Sequence, residues 1–327
     1  MTNGGPKVCH LDAMPSTLSP EISFKTAYEF AFSPDSRRVA LIGERDVTML
    51  DISTRKPVFA VRAIANPSHI DFSPDGRCVV VKGTSGRTII LDAATGRMVC
   101  DFRNHKEGEG DSALFTACSR FVVSISWSGL FSVRDRESAE VVFSHSYDDC
   151  QLTELSTTAD RSLFVYSIDG LSRSRKGLTP CTVALHRWPN HTPAVETLSK
   201  EWAAIWGLQV SPSGRFLAIV YGTPPNTLEI YDINRSRIVA KCRWSSGGTG
   251  CSMAWSRDEK TLAINGDECF RMFALPKLRV IRELPVTYPG FVRFSPAEDF
   301  VALGSWEKSF IIPNDALDEF ERKRRDT

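Results

Sequence analysis

Seven times along the chain a short apolar run ends in a turn of the Ser-Pro-Asp-Gly-Arg kind, and the spacing of those turns limits what the chain can fold into. The turns begin at Ser33, Ser73, Thr116, Ser156, Ser211, Ser256 and Ser295, at intervals of 40, 43, 40, 55, 45 and 39 residues. The second is the fullest, Ser73-Pro74-Asp75-Gly76-Arg77, while those at Thr116 and Ser156 are degenerate. A period in the low forties, with strand-like runs on both sides of a tight turn, predicts a four-stranded sheet repeated around a ring. Seven starts predict seven sheets.

One repeat shows the pattern in full. His69 to Phe72 read as an inner strand, Arg77 to Lys82 as a second, Thr88 to Asp92 as a third and Met98 to Phe102 as the outer fourth. Each run is rich in Val, Ile, Phe and Cys and is bounded by turn residues such as Thr84-Ser85-Gly86-Arg87. The residues just before the turns are Phe32, Phe72, Phe115, Leu155, Val210, Trp255 and Phe294, a bulky apolar row suited to packing one sheet on the next.

Leu50-Asp51, Leu91-Asp92, Arg134-Asp135 and Tyr231-Asp232 stand where the WD40-repeat family carries its Trp-Asp dipeptide, and the chain resembles that family over nearly its whole length. The resemblance implies an all-β, seven-bladed β-propeller with four antiparallel strands per blade and a rim that holds partners. The departures are systematic. No Gly-His pair precedes an inner strand and no Trp precedes the Asp, so the family's stapling tetrad of Asp, His, Ser and Trp is missing or incomplete. Apolar packing between blades is expected to carry more of the load.

This pattern gives a single propeller over residues 1–313, with blades starting near 28, 69, 112, 152, 206, 251 and 291. The last blade supplies only three strands, Phe291 to Phe294, Phe300 to Leu303 and Ser309 to Ile312. Lys7 to Leu11 is therefore expected to add the fourth, closing the ring and removing two sheet edges. Residues 314–327 form a charged tail, helical or disordered, with acids first and bases last, the order a helix dipole favours.

Charge is balanced, 40 basic against 39 acidic residues, which argues against a whole-surface field for nucleic acid or acidic membranes. The nine cysteines are scattered, none in a Cys-x-x-Cys pair, and Cys78, Cys181 and Cys269 sit in apolar runs as reduced thiols do. No signal peptide or membrane-spanning run is found, so an intracellular protein of cytoplasm or nucleus is expected.

Candidate binding residues gather on one rim. The long fourth interval places its surplus in a basic loop over 169–180, carrying Arg173, Arg175 and Lys176, which suits phosphate or an acidic peptide but equally a solvated loop. Arg45, Trp127 and Trp306 fall in loops between second and third strands, and Trp202, Trp206 and Trp244 in connections leading to inner strands, with Tyr28 and Tyr288 nearby. Exposed Trp, Tyr and Arg make interaction hot spots, though some of this set is expected to tuck into the blades.

Two residues before each turn the inner strands carry Ala31, Asp71, Leu114, Glu154, Gln209, Ala254 and Arg293, polar entries that suit a hydrated channel. An enzyme reading takes Asp71, Glu154, Glu29 and His69 as ligands for a hard cation, as in lactonase-like propellers, and Arg293 competes with it. His-Glu-x-x-His and Gly-x-Ser-x-Gly are both absent, and the Gly247-Gly248-Gly250 run is no phosphate loop. The sequence therefore favours a non-catalytic scaffold within a larger complex, offering its rim to a protein or peptide. No catalytic residue, metal, cofactor or obligate small ligand is expected, and no membrane partner. A subunit of a chromatin or RNA-processing assembly is a further alternative, with nucleic acid only weakly supported.

Overall fold

In the computed structural model, which describes residues 21–325 apart from 28, 44, 63, 104–109, 171–179, 189–194, 224, 245–250 and 267, the seven turns are built alike. In the second, the Ser73 N–H donates to the Cys78 carbonyl at 2.9 Å and the Gly76 N–H donates back to the Ser73 carbonyl at 2.8 Å. The Ser73 hydroxyl accepts the Cys78 N–H at 2.9 Å and donates to the Asp75 carboxylate at 2.5 Å. Ser33 with Asp35 and Ser256 with Asp258 repeat the arrangement. The hydroxyl contact holds the Asp35 carboxyl below its ordinary range. Serine and the acid two places on are therefore a local staple, satisfying backbone groups the reversal would leave bare.

The fourth residue of every turn is left-handed: φ is 59° at Ser36, 70° at Gly76, 61° at Ser119, 53° at Arg161, 76° at Gly214, 58° at Glu259 and 60° at Glu298. Glycine, which adopts this conformation most cheaply, fills only two of the seven places. The alignment also corrects the fourth turn, which begins at Thr158. The Thr158 hydroxyl accepts the Leu163 N–H and donates to Asp160, and the Arg161 N–H donates to the Thr158 carbonyl. The shift has a cause in the inner strand Cys150–Thr157, where a bulge between Thr153 and Ser156 adds a residue and leaves Glu154 at φ 59°. Thr157 and Ser156 thus hold the positions expected for Leu155 and Glu154.

The sheets form seven blades of antiparallel strands. Blade 2 runs Pro67–Phe72, Cys78–Gly83, Arg87–Asp92 and Met98–Arg103, with Asp71 opposite Val80, Val80 opposite Ile90 and Ile90 opposite Cys100. Cys78–Gly83 is buried at every residue, whereas most of Met98–Arg103 is open. A strand buried on both faces needs cover from both sides, and neighbouring blades supply it. One such seam joins Ile70, Phe72, Val79 and Val81 of blade 2 to Ala40, Ile42 and Met49 of blade 1.

The turns also bind one another. On the turn face, the Asp75 N–H donates to Ser119 Oγ, the Ser213 N–H to Glu259, the Arg257 N–H to Glu298, and the Ala297 N–H to Ser36 Oγ. The left-handed residue of one turn thus receives the backbone of the turn before it, and the bond from Ala297 to Ser36 joins the last blade to the first. The aspartates at the Trp-Asp positions do not form a tetrad. Asp92 accepts the N–H groups of Ala94 and Thr95, Asp135 those of Glu137 and Ser138, and Asp135 and Asp232 also pair with Arg120 and Arg215.

Closure differs in detail from the expectation. The stretch expected to close the ring, 7–11, lies outside the described residues, and the strand that pairs with the last blade is Ile22–Ala27, with Ile22 opposite Ile311 and Phe24 opposite Ser309. Phe300–Pro313 pairs with Pro289–Phe294 through its first half and with Ile22–Ala27 through its second. It doubles back between, since the Asn314 N–H reaches the Asp299 carbonyl at 2.8 Å, as the Ile52 N–H reaches Arg37 in blade 1. The tail is a short turn, Asn314–Ala316, then the helix Leu317–Arg325. Leu317 and Phe320 are buried beside Phe310, and Arg282 pairs with Asp318 and Glu321. Among the described residues no helix is long and apolar enough to cross a membrane.

Candidate functional site

Up-and-down strands place all seven turns on one face and the loops that enter the inner strands on the other. On the turn face Arg161, from blade 4, reaches past blade 3 to blade 2. Its guanidinium binds both oxygens of Asp71 in blade 2, at 2.6 and 2.9 Å, and also donates to the carbonyls of Phe115 (2.8 Å) and Phe72 (3.3 Å). Asp71 in turn accepts the Phe115 N–H at 2.9 Å. A side chain that reaches from blade 4 to blade 2 must pass the inner edge of blade 3, so this ion pair ties three neighbouring blades together at the turn face. Ser156, at the equivalent place in blade 4, accepts the Val210 N–H of blade 5 at 3.0 Å without any charge.

At the opposite, entry end lies a cavity of about 230 Å³ to which blades 2 to 7 contribute. His69, Ser112, Glu154, Gln209 and Ser252 line it from inner strands, Phe291 and Arg293 from blade 7, and Asn265 and Trp306 from beside them. Arg293 is tied down: it donates to Glu29 at 3.2 Å, to Ser252 Oγ at 3.1 Å and to the Val292 carbonyl at 2.9 Å. His69 Nε2 lies 3.6 Å from the same Glu29. Burial, reinforced by the Arg293 charge, pushes the imidazole down to about 3, so it is neutral at pH 7. Burial and the Glu154 carboxylate raise the Cys251 thiol well above its ordinary value, which makes it an inert thiol. Gly207 lets the inner strand of blade 5 pass Cys251, since a Cβ there would meet its sulfur at 2.5 Å.

The cation set of the enzyme reading is not assembled. Asp71 is clamped by Arg161 and Glu29 by Arg293, and among the described residues no three His, Cys, Asp or Glu side chains converge as a metal needs.

The expected rim residues divide sharply. Tyr288 and Trp306 are 60% and 57% exposed, the exposed aromatic residues among those described, and the Trp306 N–H donates to the Tyr288 carbonyl at 3.1 Å. They form one patch, with Trp306 also lining the cavity. Arg45 is exposed in the loop between second and third strands of blade 1, and Trp127 is half-buried in the tight turn of blade 3. Trp202 and Trp244 are corrections, being buried. The connection carrying Trp202 folds back to pair with the third strand of blade 4, placing Trp202 opposite Cys181, and Trp244 packs on Phe273. Trp206 is half-buried and donates its indole N–H to the Gly222 carbonyl at 2.7 Å. Tyr28, Arg173, Arg175 and Lys176 lie outside the described residues.

Two polar constellations were not foreseen. One is Arg161 with Asp71. The other surrounds Lys200, whose ammonium sits 4.7 Å from the Trp202 ring centre, 5.5 Å from Tyr221 and 5.8 Å from Tyr231, and pairs with the fully buried Glu229. Glu229 also accepts from the Trp202 indole and the Tyr221 hydroxyl, both at 3.1 Å. This cage fixes the connection between blades 4 and 5.

No family model matches the chain, and no curated protein matches it. Among solved structures it is similar to hydrazine synthase of Kuenenia stuttgartiensis, with a TM-score of 0.74 at 13% identity over 93% of this chain and 99% of that one. At that identity the likeness shows the fold, an all-β seven-bladed propeller, and carries no statement about chemistry.

Proposed function

We propose that this protein is a non-catalytic, WD40-like interaction scaffold that offers its entry rim to a protein or peptide partner, as a subunit of a larger complex. The observation that carries the reading is the Tyr288–Trp306 patch beside the channel cavity. Two neighbouring aromatic side chains more than half exposed are costly to leave in water, and each can bury about 150–250 Å² against a partner. The cavity supports the same reading through its size. At about 230 Å³ it falls below the roughly 300–1,000 Å³ of small-molecule sites, and admits a single side chain of a larger ligand.

The test is affinity capture with the full chain against a Tyr288→Ala/Trp306→Ala variant that melts at the wild-type temperature. Partners held by the wild type are expected to be lost from the variant by at least tenfold. An unchanged set of captured proteins would remove this rim from the account.

A further inference from the structure

We propose that the groove between blades 5 and 6 docks an acidic amphipathic helix of a partner protein, on a surface separate from the entry rim. Blade 5 is Ile205–Val210, Phe216–Tyr221, Thr227–Asp232 and Arg237–Arg243, and blade 6 is Ser252–Trp255, Thr261–Gly266, Cys269–Ala274 and Arg279–Pro285. Between them lies a cavity of about 170 Å³, lined by Phe216, Ile230, Val239, Trp255, Leu275 and Pro276 together with Glu259 and Lys260. Ile230 and Trp255 are buried and Trp255 stacks on Phe216 at 6.4 Å, so the floor is held by the core. Val239, 38% exposed, and Pro276 leave the wall open to solvent.

The first ground is that the chain fills the next seam with a helix of its own. The Leu275 N–H donates to the Lys260 carbonyl as the Asn314 N–H donates to the Asp299 carbonyl, so Leu275 in blade 6 and Asn314 in blade 7 hold equivalent places. Ile230 stands opposite Ala240 as Met272 stands opposite Arg282, which makes Met272 the equivalent of Ile230. Leu317 and Phe320 of the terminal helix share a core with Met272, while Asp318 and Glu321 pair with Arg282. Two apolar residues three apart on one helix face, with acids beside them, thus close the seam between blades 6 and 7. Blade 6 continues from Pro276 into its own outer strand instead, and the floor at Ile230 stays uncovered. The seam between blades 7 and 1 is different, since Ser36, Arg37, Asp51, Ser53 and Arg55 line its cavity.

The second ground is charge. Arg237 and Lys241 lie on the outer strand that carries Val239, and Lys277 and Arg279 follow Pro276. All four are exposed and enter no ion pair among the described residues. The acids on the same segments are engaged: Asp232 pairs with Arg215 and Arg235, Asp258 with Lys260, and Glu259 accepts the Ser213 N–H. The charge left over around the apolar floor is positive, which draws in an acidic segment and repels a basic one.

The experiment titrates the full chain into a fluorescein-labelled, lactam-stapled helix of about 15 residues that contains the Leu-Asp-Glu-Phe-Glu order of 317–321. Anisotropy should show it binding at least tenfold more tightly than a scrambled peptide of the same composition, since burying one Leu-sized side chain is worth a factor of ten or more. Val239→Glu, at an exposed position, should weaken binding at least tenfold, and so should Lys277→Glu/Arg279→Glu. A helix with lysines in place of its acids should bind Lys277→Glu/Arg279→Glu better than it binds the wild type, a gain that a misfolded protein cannot produce. Tyr288→Ala/Trp306→Ala should bind the acidic helix as the wild type does; loss there would move the helix to the entry rim and overturn the proposal. Equal binding of the scrambled peptide, or indifference to Val239→Glu, would overturn it as well. Sedimentation that shows the wild type self-associating and Val239→Glu monomeric would make the groove an interface between copies of this chain, which also overturns it.

Discussion

Removing Arg161 isolates the contribution of the ion pair that ties blade 4 to blade 2 at the turn face. In Arg161→Ala, Asp71 keeps the Phe115 N–H but loses both guanidinium contacts, and the carbonyls of Phe72 and Phe115 lose a donor. Breaking one side of a fully buried pair costs about 3–5 kcal/mol, chiefly because a charge is left without compensation. The side chains of Arg161 and Asp71 retain 19% and 12% exposure, so water recovers part of the loss and the expected cost is about 3 kcal/mol. The chain itself supplies the control. Ser156 does with a hydroxyl what Asp71 does with a carboxylate, so Asp71→Ser in the Arg161→Ala background replaces the stranded charge by a neutral acceptor. That double variant should cost only about 1 kcal/mol relative to wild type, recovering roughly 2 kcal/mol of the loss in Arg161→Ala. Urea unfolding of the four proteins in the cycle measures both numbers. A single variant within about 0.5 kcal/mol of wild type, or a double variant no more stable than the single, would refute the reasoning.

Two further perturbations follow from buried groups. His186 is 2% exposed among Phe131, Phe143 and Trp188, neither ring nitrogen has a hydrogen-bond partner, and burial holds its pKa down at about 4. Above pH 6.5 folded and unfolded chains both hold it neutral; below that the unfolded chain takes up a proton the folded one refuses, so stability falls as pH drops towards 4, by on the order of 3 kcal/mol in all. His69 adds a second such proton over the same window, and His186→Phe should reduce the slope of unfolding free energy against pH by about one proton. An unchanged slope would show that His186 titrates freely. Lys200→Met leaves the buried Glu229 with only the neutral donors of Trp202 and Tyr221 and should cost about 3 kcal/mol, most of it recovered by adding Glu229→Gln. Chemical denaturation of the pair of variants measures the recovery, and no recovery would mean that the cage matters through packing alone.

The architecture was legible because a tight turn makes narrow chemical demands. A hydroxyl, an acid two places on and a left-handed fourth residue leave a trace in Ser73-Pro74-Asp75-Gly76 that survives much substitution. The fourth turn was misplaced by two residues because its hydroxyl belongs to Thr158, its left-handed residue is Arg161, and the bulge at Glu154 moves the strand that leads into it. The signal that could have found Arg161 lay in the same column. The other six turns carry Ser36, Gly76, Ser119, Gly214, Glu259 and Glu298 there, none of them cationic. Burial of Trp202 was not legible, since it depends on the connection folding back onto Cys181, a pairing that no local periodicity encodes. Tyr288 and Trp306 were found separately as rim aromatics, but their contact joins two loops of blade 7 and needs the folded hairpin to be seen.

The pairing of Ile22 with Ile311 has a consequence for synthesis on the ribosome. One partner is made first and must wait for nearly three hundred further residues to be translated before the other arrives, so for that interval an amphipathic strand stays single and the growing arc has a raw seam at each end. A chaperone that shields extended, unpaired segments would be in demand during that delay. A stop codon that removed the last blade would leave the six before it as an arc whose two ends cannot meet.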